Sequence, residues 1–279
     1  MPDSDAFHLH PELRGQIKPA EESFFRNLDL SVIDAHGEKA GFSSDWRTPC
    51  AVRDAERRDW LEGRWNQDLW VFGYGSLMWD PSIEFDEVRH AHCRGHQRSF
   101  CLWDEGGRGS MDEPGLMLAI DEGGSCEGLA FRVGSEKLEY ETFVLFRREM
   151  LAPVYRPIWL SLDTASGPIE ALSFVANRDH EKIKPGILLE DQAKMIARAK
   201  GMFGTNFDYL SDMYERLEIL GIEDKYVNAG LKPHQSPKRK CTTWLDLAGL
   251  KLRQLVGFRF VHSPARRSAP TEQRSCAGL

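Results

Sequence analysis

Trp70-Val71-Phe72-Gly73-Tyr74-Gly75-Ser76-Leu77-Met78-Trp79-Asp80-Pro81 is the stretch on which the reading of this chain turns. Leu69 to Phe72 form a short, dense apolar run whose aromatic and β-branched content predicts a buried strand. Gly73 and Gly75 then end it, because glycine opens backbone conformations closed to other residues. Two glycines so placed let successive backbone N–H groups point into one concavity, a nest for a carboxylate, a phosphate or a developing oxyanion. Ser76 adds a hydroxyl donor. Three familiar loops are excluded by residue. Met78 stands where a dinucleotide fingerprint needs its third glycine, and no Gly-Lys-Ser/Thr follows as in a phosphate-binding P-loop. Ser76 also lacks the flanking pattern of a nucleophile elbow. On pattern alone the alternative is a tight glycine turn that binds nothing.

Working outward, short strands are expected around Arg98–Trp103, Gly115–Ile120 and Glu127–Val133, with Glu105-Gly106-Gly107-Arg108-Gly109 and Glu122-Gly123-Gly124 as breakers. Ser135 to Met150 reads as a helix capped by Ser135. Strands around Tyr155–Leu162 and Ile169–Val175 follow, then helices over Glu190–Ala199 and Asn206–Leu220, the last stopped by Gly221. Strands cluster before helices with few β-α-β alternations, which points to an α+β fold around a mixed, closed sheet. Residues 1–66 are polar and irregular, and read as an N-terminal extension with one helix, near Cys50 to Trp65. Residues 67–226 read as the catalytic domain, and 227–279 as a basic tail, partly disordered.

The whole chain has 279 residues, 28% charged and 41% apolar, enough to bury a core without staples. No run of ~18 apolar residues exists to span a membrane. The first residues are acidic and lack the apolar stretch of a secretory signal. Cysteines 50, 93, 101, 126, 241 and 276 have no framework spacing and no C-x-x-C, which suits reduced thiols in a cytoplasmic protein. Residues 227–279 carry ten Lys/Arg against two Asp/Glu, a net +8, so the overall −7 leaves −15 on residues 1–226. So acidic a body argues against nucleic acid as a partner.

Chemistry-bearing side chains fall into a few groups. Glu149, in Phe143-Val144-Leu145-Phe146-Arg147-Arg148-Glu149-Met150, ends an apolar helix. Phe146 and Met150 could desolvate its carboxyl and raise its pKa, making a general base, whereas Arg147 or Arg148 could pair with it and lower the pKa. His90-Ala91-His92-Cys93-Arg94-Gly95-His96 has the look of a metal cluster, but no second Cys/His cluster completes four ligands at a familiar spacing, so no metal is expected. Cys93, Cys101 and Cys126 read as core thiols. Arg98, Arg147, Arg148 and Arg156 are candidate partners for a substrate carboxylate.

Taken together, WVFGYGSLMWDP (70–81), RSFCLWDEGGRGS (98–110), EPGLMLAI (113–120), GLAFRV (128–133), FRREMLAPVYRPIWL (146–160) and GTNFDYLSDMYERLEILGIED (204–224) resemble, in order and spacing, the ChaC-type γ-glutamylcyclotransferases, which act on glutathione. The resemblance covers about 69–226 and leaves both extensions outside. It implies a compact mixed sheet or barrel with flanking helices holding a small cavity. It implies that Phe72, Gly73, Tyr74, Gly75, Ser76 and Leu77 bind the γ-glutamyl group, that Glu149 is the acid/base, and, more weakly, that Tyr155 lines the cavity. The implied reaction is attack of the γ-glutamyl α-amine on its own γ-carbonyl, giving 5-oxoproline and Cys-Gly, with no metal or organic cofactor. Two alternatives stand beside it: other γ-glutamyl amino acids or amines as substrates, and a non-catalytic γ-glutamyl-binding regulator. A Ser or Cys hydrolase is disfavoured because no nucleophile motif with a base partner is present.

Overall fold

The computed structural model describes residues 5–231. Helices α1 (Leu30–Lys39) and α2 (Cys50–Trp60) precede β1 (Leu69–Gly73), β2 (Glu87–Asp104), β3 (Gly115–Val133), α3 (Leu138–Glu149), β4 (Tyr155–Asp163) and β5 (Ile169–Ala176). Next come α4 (Leu189–Arg198), the two-residue strands β6 (Lys200–Gly201) and β7 (Gly204–Thr205), α5 (Asn206–Ile219) and α6 (Lys225–Leu231). Strands β1 to β5 close a barrel in the order β1-β3-β2-β4-β5, antiparallel except where β1 meets β5 in parallel. The expected α+β fold with a mixed, closed sheet is therefore present. The segment expected to be a basic tail lies outside the described residues, apart from the end of α6. Among the described residues no helix is long and apolar enough to cross a membrane.

Alternation along β1 sets the layers, since successive strand residues face opposite sides. Phe72 packs in one cluster with Val88, Leu116, Leu118, Leu129 and Phe131 from β2 and β3. Leu69 and Val71 face the other way, against Val144, Leu145 and Phe146 of α3. Thus α3 lies along the barrel wall that carries β1, and its last residue comes to the loop leaving that strand. Phe146 fixes the contact by edge packing on Phe174, with ring centroids 5.3 Å apart.

Five local expectations differ. The N-terminal extension, expected to hold one helix near Cys50 to Trp65, holds two, α1 and an α2 that stops at Trp60. Two unbroken strands, β2 and β3, replace three short ones. Gly123 and Gly124 do not end a strand: both take positive φ, 108° and 58°, and absorb a register shift inside the β2–β3 pairing. Ser135 does not cap α3. A 3₁₀ turn over Ser135–Lys137 leads into the helix, and Asp68 accepts the Ser135 N–H at 3.1 Å. Among the cysteines, Cys93, Cys101 and Cys126 are buried free thiols. Cys50 is disulfide-bonded and departs from the all-thiol expectation.

Gly128 on β3 shows how tightly β1 and β3 meet. A Cβ there would stand 2.3 Å from the Gly73 carbonyl oxygen and 2.8 Å from the Phe72 ring. Gly128→Ala therefore displaces backbone rather than a flexible side chain. The expected cost is at least about 2 kcal/mol, a Tm fall of roughly 5 °C or more in a thermal melt.

Residues 5–66 are packed against the barrel. Leu13 and Ile17 join the cluster around Phe72. Thr48 donates its N–H to Leu151 C=O at 2.9 Å. Arg57, fully buried, reaches Thr142 Oγ1 (2.9 Å) and Glu139 Oε1 (2.8 Å) of α3. Arg26 clamps Glu141 of α3 with two bonds, 2.7 and 2.9 Å, where the Glu141 side chain is only 4% exposed. Arg26→Ala would leave that carboxylate buried and short of its counter-charge, and should cost about 3 kcal/mol in denaturant unfolding.

Candidate active site

The site forms where the loop after β1 meets the C-terminal end of α3. Past Gly73 the chain closes a single 3₁₀ turn over Ser76–Met78, and its first return bond runs from Met78 N–H to Gly75 C=O at 2.9 Å. The N–H groups of Gly75, Ser76 and Leu77 precede that bond, as the leading N–H groups of any helical turn do. Gly73 allows the fold-back, since a Cβ on it would meet Leu77 Cβ at 2.9 Å. Gly75 faces open space: a Cβ there would have only Leu118 Cδ2 nearby, at 3.9 Å. Phe72, Tyr74 and Leu77 are buried and hold the loop from behind. The loop carbonyls are anchored as well. Ser173 Oγ donates to Phe72 C=O at 3.1 Å, and Arg98 Nε to Tyr74 C=O at 2.8 Å.

Arg148 joins the loop to the acid. Its Nη2 donates to Ser76 Oγ at 2.8 Å, and its Nε lies 3.0 Å from Glu149 Oε1. Its Nη1 donates to the Asp80 carbonyl and to Ser82 Oγ. The guanidinium stacks over Phe25 of the N-terminal segment at 4.2 Å, and only 4% of the side chain is exposed. Around it Lys18 bonds Asp80 (2.9 Å) and Ser23 bonds Ser82 (2.9 Å), so residues from outside the resembling region support the site.

Glu149 is the last residue of α3 and its side chain is 14% exposed. Burial pushes its carboxyl pKa above the ordinary value, and the nearby Arg148 pulls it only part of the way back. The helix end acts in the same direction as burial, since unsatisfied last-turn carbonyls disfavour a negative charge. Of the two environments left open by the sequence, desolvation prevails. Tyr74, Tyr155 and Tyr209 are each electrostatically linked to Glu149. Burial raises all three phenols, Tyr209 to about 12 and the others well above their usual value, so they stay neutral donors near neutral pH. Tyr74 donates to Phe174 C=O at 2.7 Å and Tyr155 to Leu118 C=O at 3.1 Å.

The structure thus brings together Phe72 to Leu77, Glu149 and Tyr155. It does not bring the other arginine candidates to the site as free cations. Arg98 is occupied by Tyr74 C=O, Glu127 C=O and Asp224. Arg147 turns to the Phe25 and Arg26 carbonyls, and Arg156 is exposed beside Glu122. The second glycine-rich loop is satisfied internally, because the N–H groups of Gly106, Gly107 and Arg108 all donate to Asp104. The sequence reading missed Tyr209 and the supports Lys18, Phe25 and Asp80. Tyr209 sits in the quoted stretch GTNFDYL, and its aromatic character mid-helix was the available signal. The supports had none, because their partners are distant along the chain.

Residues 69–233 match the ChaC-like protein family. The glutathione-specific γ-glutamylcyclotransferase of Escherichia coli strain K12 is 40% identical over 161 residues, spanning 57% of this chain and 70% of that protein. The rat glutathione-specific γ-glutamylcyclotransferase 1 is 30% identical over 174 residues, spanning 58% and 77%. A crystal structure of a yeast γ-glutamyl cyclotransferase specific to glutathione superposes with TM-score 0.52 at 18% identity, covering 60% of this chain and 97% of that one, which bears on the fold alone.

Proposed function

We infer the activity from a fixed premise: this chain belongs to the ChaC-like protein family. It cleaves glutathione into 5-oxoproline and Cys-Gly, as a lyase. The observation that carries the assignment to these residues is the single guanidinium of Arg148, which holds the glycine loop through Ser76 and the buried Glu149 at once.

The reaction follows from the chemistry of the substrate. The α-amine of the γ-glutamyl group lies on the same residue as the scissile γ-amide, so ring closure is internal and the protein's task is to hold a folded attack conformer. The N–H groups of the loop and the hydroxyl of Ser76, which accepts from Arg148 and keeps its own hydrogen, are donors for the α-carboxylate and the amide oxygen. Glu149 takes a proton from the α-ammonium, since an ammonium cannot attack. The freed amine forms the new C–N bond at the γ-carbonyl carbon. As the old amide C–N bond breaks, Glu149 gives its proton to the departing cysteine nitrogen and takes the second proton from the ring nitrogen, which leaves a neutral lactam; that proton passes to the released cysteine amine, which departs as an ammonium. The raised carboxyl pKa suits these transfers, because a proton carrier works best with a pKa near the working pH. No water enters the balance.

The test presents the purified full chain with glutathione and, separately, with γ-Glu-Ala, and follows 5-oxoproline by mass spectrometry. Equimolar 5-oxoproline and Cys-Gly from glutathione, with γ-Glu-Ala left intact, is expected. Turnover of γ-Glu-Ala alone would keep the chemistry and overturn the substrate. Product from neither would overturn the enzyme reading.

A further inference from the structure

We propose that His10, Glu12 and His90 form a binding site for a divalent transition-metal ion, zinc by donor type, which fastens the N-terminal segment to β2. The site answers the objection raised by sequence spacing. The histidines of 90–96 do not assemble with one another. His92 lies 3.8 Å from Asp163, and the partners of His90 come instead from His10-Pro11-Glu12, about eighty residues earlier. One ligand atom from each of the three lies within 4.8 Å of the others. His10 Nδ1 is 3.0 Å from Glu12 Oε1, and the His10 and His90 rings meet edge to face with centroids 4.8 Å apart.

The framework holding these side chains is rigid on both sides. His90 stands on β2, paired with Leu129 of β3. His10 and Glu12 flank the start of the 3₁₀ turn Pro11–Leu13, whose Leu13 is 1% exposed in the barrel cluster. Upstream, Ala6 C=O accepts Val88 N–H at 3.1 Å, so the segment is tied to β2 on that side also. Bonds of about 2.0–2.1 Å to a tetrahedral ion place ligand atoms roughly 3.3 Å apart. His10 Nδ1 and Glu12 Oε1 already stand near that spacing, so the remaining ångström or so lies toward His90 and closes by small rotations of the three side chains, of which Glu12 is 60% exposed. Metal on Nδ1 of His10 makes Nε2 a donor, which gives up the long 3.4 Å contact from His90 N–H. Two imidazoles and one carboxylate select late first-row ions over calcium or magnesium, and water fills the fourth position. None of the three belongs to the candidate active site, so the ion acts on anchoring and not on the reaction.

The tag-free full chain, stripped with a chelator, is titrated with zinc chloride alone by calorimetry and melted with and without zinc. We expect one saturable site per chain and a zinc-dependent rise in Tm. His10→Ala, His90→Ala and Glu12→Gln should each weaken binding at least tenfold and abolish the rise, while His92→Ala binds as wild type. Glu12→Gln, on an exposed side chain, keeps the fold and should cleave glutathione at the wild-type rate. Absence of saturable binding, or binding unchanged in both His10→Ala and Glu12→Gln, would overturn the site.

Discussion

Glu149→Gln is expected to lower kcat/KM for glutathione by roughly 10² to 10⁴-fold, the loss that follows removal of a proton carrier. The fold should survive, because the amide oxygen can still accept from Arg148 Nε, which lies 3.0 Å from Glu149 Oε1. The sign of the stability change follows from the raised pKa. A carboxyl whose folded pKa lies above its unfolded value favours folding in its protonated form, so its ionisation opposes folding at every pH above the folded pKa. Removing the charge relieves that opposition, and the variant should melt at or above the wild-type Tm at pH 7.5. The pH dependence of wild-type kcat/KM should have an acid limb above the ordinary glutamate range, since the base must be ionised to take the first proton. Loss of that limb in the residual activity of the variant is the specific signature. A folded variant with near-normal kcat/KM would remove Glu149 from the reaction.

Arg148→Met and Arg148→Lys form the second expected result, and the pair separates charge from geometry. Methionine removes the cation that lowers the Glu149 pKa, so the acid limb should move to higher pH. Lysine keeps a charge and should leave the limb nearer its wild-type position. Both lose the fork that spans Ser76 Oγ (2.8 Å) and Glu149 (3.0 Å), and both should cut kcat by roughly 10²-fold, the scale of an ångström's misplacement. Arg148 is a positioning residue in this account, so kcat should fall more than KM rises. The methionine variant should also lose about 3 kcal/mol, because the Arg148 guanidinium lies 3.7 Å from the carboxylate of Asp80, which is 7% exposed and would be left with Lys18 as its cation among the described residues. An unchanged acid limb in Arg148→Met would show that the guanidinium does not act on Glu149.

The parts of this molecule that are local in sequence were legible before the structure. A dense apolar run stopped by Gly73 and Gly75 became β1 and its loop. An apolar helix ending in an acid became α3 with Glu149 as its last residue. Periodicity and glycine placement encode such features within a dozen residues. The Gly123-Gly124 pair misled because positive φ serves a bulge inside a long antiparallel pair as well as it serves a turn. The protonation behaviour of Glu149 was not legible, since Phe146 and Arg148 pull in opposite directions and only their packing decides. Least legible was the role of residues 5–66. Lys18 finds Asp80 and Arg26 finds Glu141 across 62 and 115 positions, and nothing in a polar, irregular stretch marks which charge will be buried. The contacts of Phe25 and Ser23 behind the guanidinium mean that truncating the chain to the resembling region would remove part of the candidate site's support.

The central claim is that the γ-amide of glutathione is cut by its own amine and not by water, within a site organised by Glu149. Turnover in ¹⁸O-labelled water, with products read by mass spectrometry, tests it most directly. The account predicts unlabelled 5-oxoproline and Cys-Gly from the wild-type chain, and the same products formed roughly 10² to 10⁴-fold more slowly by Glu149→Gln. Glutamate bearing ¹⁸O would show hydrolysis and contradict it.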